Sequence, residues 1–169
     1  MFIAIVRHTP VWVWGLLALL IALGVSQARD REMSLMRVTV LPLVMIALSV
    51  SGVFSAFGHS PAALGGWAAG LGAALTFGRQ FIAVRGAAWS QQAGTLHVPG
   101  SWVPLGLIIG LFALKYFVGV RLALHPEFAV DTAFAGAISL ACGGFSGLFL
   151  ARGLSLRQLA KSQAGPVVA

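Results

Sequence analysis

Three histidines standing just ahead of prolines are the residues here best equipped for chemistry: His8 in "HTP", His59 in "HSP" and His125 in "HPE". Glu127 and Asp131 follow the last of them. Imidazole nitrogens and carboxylates of this kind suffice to hold zinc or copper, or to ligate a haem iron. The spacing is not local, however, as it is in a His-Glu-x-x-His helix, so such a site depends on the fold bringing distant segments to one place. The plainer reading makes these residues polar helix starts in contact with water and lipid headgroups. His97 stands apart as a loop residue.

Lys115 is the second candidate. It lies inside the apolar run "LIIGLFALKYFVGVRL", with Tyr116 next to it and Arg121 near the end. Five residues separate Lys115 from the apolar edge at Val120, roughly 8 Å along a helix. A lysine stem can cover much of that depth and set its ammonium among headgroups. Held at the centre of a bilayer, the charge costs about 2.5–3.5 kcal/mol on the most lenient scale. Two readings therefore stand: Lys115 reaches back to water, or it works inside the bundle against Glu127, Asp131 or a carbonyl.

The elements that must position these groups are membrane helices. Of 169 residues, 59% are hydrophobic and 9% charged, and the mean hydropathy is +0.93. A soluble domain is about 45–50% apolar and about 25% charged. Five apolar stretches approach the ~20 residues a span needs: about 10–27, 38–57, 61–77, 102–122 and 132–151. Pro10 suits a first helical position with Thr9 as cap, and Pro42 is early enough in its helix to be tolerated. The first stretch, with Arg7 before it and Ser26-Gln27-Ala28 after it, has parts of a secretory leader. Its charges are heavier on the far side (Arg29, Arg31, Arg37), which favours a retained helix.

The predicted fold is thus all-α and integral to a membrane: one domain, a bundle of five transmembrane helices. Between the third and fourth, residues 78–101 form a short cytoplasmic loop or a β-hairpin built from "QFIAVR" and "TLHV". Residues 152–169 form a basic tail. Asp30 and Glu32, alternating with Arg29 and Arg31, read as a solvated link. The links at 27–37 and 78–101 and the tail carry eight basic residues on one face, against three at most on the other (Arg7, Arg121, Lys115). The positive-inside rule then puts the C-terminus in the cytoplasm and the N-terminus in the periplasm.

Glycines four apart, Gly66 with Gly70 and Gly143 with Gly147, mark helix faces that admit a close neighbour, in the same chain or in a second copy. The formal charge of +7 belongs to membrane flanks rather than to nucleic acid. The single cysteine, Cys142, can form no internal disulfide and reads as a packing residue. There is no phosphate-binding Gly-x-x-x-x-Gly-Lys loop, no Gly-x-Ser-x-Gly elbow and no carboxylate pair within a span. These point away from an enzyme.

The segments "RHTPVWVWGLLALLIALGVSQ", "VLPLVMIALSVSG" and "GTLHVPGSWVPLGLIIGLFALKYFVGV" resemble a family of small bacterial inner-membrane proteins of unknown function, with "VPGSWVPL" and "KYFVGV" the most specific parts. That resemblance implies five spans in an inner membrane and a part for Lys115, Pro99, Gly100 and Ser101 in the family's shape. In segment order the chain is also similar to CcdC-like membrane proteins found near cytochrome c biogenesis components, although it lacks a Cys-x-x-Cys-His and a redox cysteine pair. Three functions are carried forward. The first is a non-enzymatic accessory or structural subunit, with the lipid bilayer and a further copy or membrane protein as partners and no cofactor. The second is a small transporter or channel subunit using Lys115. The third is haem or metal binding through His8, His59 and His125 on the periplasmic face.

Overall fold

A computed structural model of the chain describes residues 10–81, 86–90 and 94–163. Five long helices account for most of it: α1 (Val11–Ser26), α2 (Leu35–Phe57), α3 (Pro61–Phe81), α4 (Val103–Leu124) and α5 (Thr132–Gln163). Three of them, α2, α4 and α5, are long and apolar enough to cross a membrane. Helix α1 is apolar but shorter, and α3 owes a lower hydropathy to its alanines and glycines.

Local signals set the helix ends. Pro10 occupies the N-cap position of α1 and has no side-chain cap bond, so the helix starts at Val11 rather than at the proline itself; Thr9 lies outside the described residues. Ser34 caps α2 by accepting from the Arg37 N–H at 3.4 Å. Helix α2 ends at Gly58, whose φ of +60° is open to glycine at little cost. Asp131 caps α5, its Oδ1 accepting from the Phe134 N–H at 2.9 Å. Between α4 and α5 a 3-10 turn spans Pro126–Ala129.

Successive helices run in opposite directions, so α1, α3 and α5 are parallel to one another. Among the described residues, helices α3 and α5 share the most extensive helix–helix contact. A Cβ placed on Gly66, Gly70, Gly143 or Gly147 would collide with backbone of the facing helix. Gly66 lies on Gly136, Gly70 on Leu140, and Gly143 on Trp67. Helix α2 packs antiparallel across α5. Pro42 lacks the N–H that would satisfy the Val38 carbonyl, and Gly153 of α5 settles against both: a Cβ there would stand 2.7 Å from Pro42 Cγ and 3.1 Å from Val38 O. A buried polar relay ties the three helices. Trp67 Nε1 donates to Ser49 Oγ (3.1 Å), and Ser49 Oγ donates to the Cys142 carbonyl (3.4 Å), which also accepts from Ser146 Oγ (2.9 Å).

The fold is not all-α. Strands β1 (Arg31–Met33), β2 (Ala88–Ser90) and β3 (Thr95–Val98) form an antiparallel sheet in the order β1-β3-β2, with Glu32 opposite His97 and Trp89 opposite Leu96. The hairpin's first strand is therefore Ala88–Ser90, not "QFIAVR"; α3 continues to Phe81, and residues 82–85 lie outside the described residues. The alternating charges around residue 31 are strand alternation: Arg31 and Met33 face the helices and Glu32 faces away.

Helix α5 continues unbroken through the expected tail to Gln163. Its last turns, through Leu156 and Ala160, share a small core with Met33, Val38, Leu96 and Val98. The Gln163 side chain accepts from the Trp89 N–H at 2.7 Å. A second core gathers Val53, Phe57, Val118, Ala135 and Cys142 toward the opposite end, which carries the histidine loops.

Candidate functional site

Lys115 stands near the middle of α4, which meets α1 at Gly24 and Leu105 and parts from it toward the histidine end. A cleft of about 500 Å³ opens between α1 and α4, walled by Trp12, Leu16, Phe112, Tyr116 and Val120, with Lys115 on its side. Phe112 and Tyr116 stack with ring centroids 6.3 Å apart, one turn from each other. A second cavity of about 200 Å³ lies between α2, α4 and α5, bordered by Gly52, Val53, Val118 and Cys142. Lys115 and Gly119 border both.

The lysine crosses from α4 toward α2 and ends against Gly52: a Cβ on that residue would strike the ammonium nitrogen. Lys115 is nine residues from the end of α4 at Leu124, whereas Gly52 is five from the end of α2 at Phe57. The side chain thus joins the middle of α4 to a point on α2 within two turns of its C-terminal end. It is exposed to the spaces between the helices, still well short of the helix ends. Among the described residues no carboxylate lies within ion-pair distance of it. The two acids expected to reach it are occupied, Asp131 as the α5 cap and Glu127 with His125.

His125 Nδ1 is 2.9 Å from Glu127 Oε1, and its ring meets Phe128 edge-on. A backbone hydrogen bond and then the His125 contact hold the Glu127 carboxyl below its ordinary range. His59 lies in the neighbouring loop with its ring 5.1 Å from Phe54. No group of three metal-ligating side chains occurs among the described residues, and His8 lies outside them. Arg121 places its guanidinium 4.7 Å from the Phe128 ring centroid and 6.0 Å from that of Phe117; among the described residues its buried Nε has no partner. His97 is exposed on the central strand.

Gly66, Gly70, Gly143 and Gly147 meet one another's helices in the α3–α5 contact and take no part in the cleft. Sequence reasoning missed Gly52. It lies far from Lys115 along the chain, in an ordinary "VSGVF" run, and only the register of α2 against α4 links the two. It missed the pairing of Pro42 with Gly153 for the same kind of reason. The buried Ser139 Oγ also has no partner among the described residues, but it lines neither cavity.

What the arrangement offers is a cation beside an apolar space of ligand size. Clefts of ~300–1,000 Å³ with few polar groups are usual for small-molecule sites, and a lone ammonium selects an anionic head.

No solved structure matches the chain. It is 33% identical over 75 residues to an uncharacterised protein of Pasteurella multocida (strain Pm70), an overlap covering 44% of this chain and 57% of that relative. A likeness to CcdC-like proteins is not shown by these comparisons. A family model matches residues 1–167, and the chain belongs to that family, DUF6622, a family of unknown function.

Proposed function

We propose that this protein is a non-enzymatic accessory protein of a bacterial inner membrane that holds the acidic head of an apolar ligand at Lys115. Five antiparallel helices cross the bilayer, with the sheet and the end of α5 on the cytoplasmic side and the histidine loops in the periplasm. Three helices of spanning length and the gathering of arginines at the sheet end support this arrangement.

The observation that carries the ligand is the Lys115 ammonium, without a carboxylate partner among the described residues, between two cavities. A charge in that position is costly unless an anion joins it. A long-chain carboxylate satisfies both features, its tail in the apolar cleft and its head on the ammonium. The direct test is binding of a spin-labelled fatty acid to the protein in nanodiscs. Lys115→Met should weaken binding by about tenfold, the worth of one charge-assisted hydrogen bond. Equal binding by the two proteins would sink the ligand assignment.

A second reading, a small transporter or channel subunit, draws on one fact: Lys115 and Gly119 border both cavities, so the two spaces adjoin. It requires anion flux into proteoliposomes that Lys115→Ala abolishes. Background flux from both proteins ends it.

A further inference from the structure

The sheet end holds a second cationic site, separate from the Lys115 cleft. A small cavity of about 40 Å³ lies where the end of α1, the start of α2, strand β1 and the middle of α5 converge. Its polar walls are Gln27, Arg31, Arg37 and Arg152, and its floor is Phe149 and Leu156.

The arginines arrive there for backbone reasons. Strand alternation turns Arg31 inward with Met33, and its Nη2 donates to Gln27 Oε1 at 3.1 Å. Burial holds the Arg31 guanidinium below the usual arginine range. Arg152 is half-buried, adjacent to Gly153 at the α2 contact, and lines the same cavity as Arg31.

The nearby acids are committed elsewhere. Asp30 accepts from the Gly100 N–H at 2.7 Å, and Glu32, on the outer face of β1, accepts from Thr95 Oγ1 at 3.0 Å. Among the described residues neither Arg31 nor Arg152 has an ion-pair partner. Like charges gathered at a half-buried place without a counter-charge are unfavourable, and an anion between them would be attracted by both. Guanidinium forks suit the tetrahedral oxygens of phosphate.

We propose that this pocket binds a phosphate group, carried either on the headgroup of an anionic phospholipid or as free phosphate. The lipid source rests on the membrane reading above; the free source does not.

The experiment follows thermal unfolding of the delipidated full chain in uncharged detergent. The additives are inorganic phosphate, phosphatidylglycerol, and phosphatidylcholine as reference lipid. The proteins are wild type, Arg31→Gln/Arg152→Gln, and Arg157→Gln, which alters an exposed arginine of the same helix. Wild type and Arg157→Gln should gain Tm with phosphatidylglycerol, inorganic phosphate or both. The double variant should need at least about tenfold more of the effective additive.

A gain with phosphatidylglycerol alone assigns the lipid headgroup; a gain with inorganic phosphate, with or without the lipid effect, assigns the free anion. Equal responses from wild type and double variant, or none from either, overturn the site. A gain with phosphatidylcholine as large as with the other additives overturns it too. Whether the chain stays in solution without detergent is read separately, and it bears on the membrane arrangement and not on this pocket.

Discussion

Helices α3 and α5 touch backbone to backbone along their contact, whereas α1 and α4 meet at Gly24 and Leu105 and then part around a cleft. The first pair is built on small residues, and a Cβ added at Gly66, Gly70, Gly143 or Gly147 would meet main chain of the facing helix. The second pair is built on Trp12, Leu16, Phe112 and Tyr116, large side chains that leave about 500 Å³ between them. Gly15 and Gly106, on α1 and α4, would have nothing within 4 Å of an added Cβ. Close packing fixes the geometry in one half of the molecule and slack packing leaves room for a guest in the other. Stability should therefore be sensitive at α3–α5 and binding sensitive at α1–α4.

The sharpest way to break that contrast is a pair of substitutions. Gly143→Leu forces a side chain into the Trp67 carbonyl region and should cost about 3 kcal/mol or more, at the upper end of overpacking. Gly106→Leu should change stability by about 0.5 kcal/mol or less, as at any unconstrained site. Comparable losses in Tm for the two would erase the distinction.

Next in size is Lys115→Met. Removing an uncompensated ammonium from an apolar groove should raise Tm by the equivalent of about 2 kcal/mol in nanodiscs while fatty-acid binding falls. A lowered Tm would mean that the lysine holds the helices together.

Ser49→Ala addresses the relay from Trp67 to the Cys142 carbonyl. Interhelical hydrogen bonds of this kind are worth about 0.6 kcal/mol on average and up to about 1.7 kcal/mol, so a modest fall in Tm with unchanged ligand affinity is expected. A change in affinity would join the two halves that the packing separates.

The smallest effect concerns Glu127 and pH. Its carboxyl is held below the ordinary value of 4.5 by its backbone hydrogen bond and His125. That contribution is present above the ordinary value and disappears as pH falls through the depressed one. Acid titration of Tm should show a slightly steeper decline in wild type than in Glu127→Gln over that interval. Because the group is fully exposed, identical curves from high to low pH would remove Glu127 from the account of the loop and leave both halves intact.

What the sequence makes legible follows from how local each feature is. Long apolar runs bounded by Pro10, Pro61, Pro104 and Pro126 announce helices, because each carries its own boundary. Glycines spaced by four announce close approach, though not which helix approaches. The sheet escapes because β1 is three residues long and exists only through pairing with β3, far along the chain. Its Arg-Asp-Arg-Glu alternation looks like solvated link. The extension of α5 escapes because its composition turns basic at Arg152 while its helical spacing continues, with Leu156 and Ala160 still facing inward. The Lys115–Gly52 contact and the arginine pocket are registers between distant elements, which periodicity within one segment does not encode.

At 32 residues, α5 is about 48 Å long, well beyond a hydrocarbon thickness of about 30 Å. One end is wedged against α3 and the other is fastened to the sheet through Gln163 and Trp89. The rod is therefore pinned at both ends: a tilt of about 10° would displace one end against the other by about 8 Å, and the two sets of contacts could not both stay seated. In the membrane arrangement proposed above, the length in excess of the hydrocarbon carries the sheet clear of the bilayer.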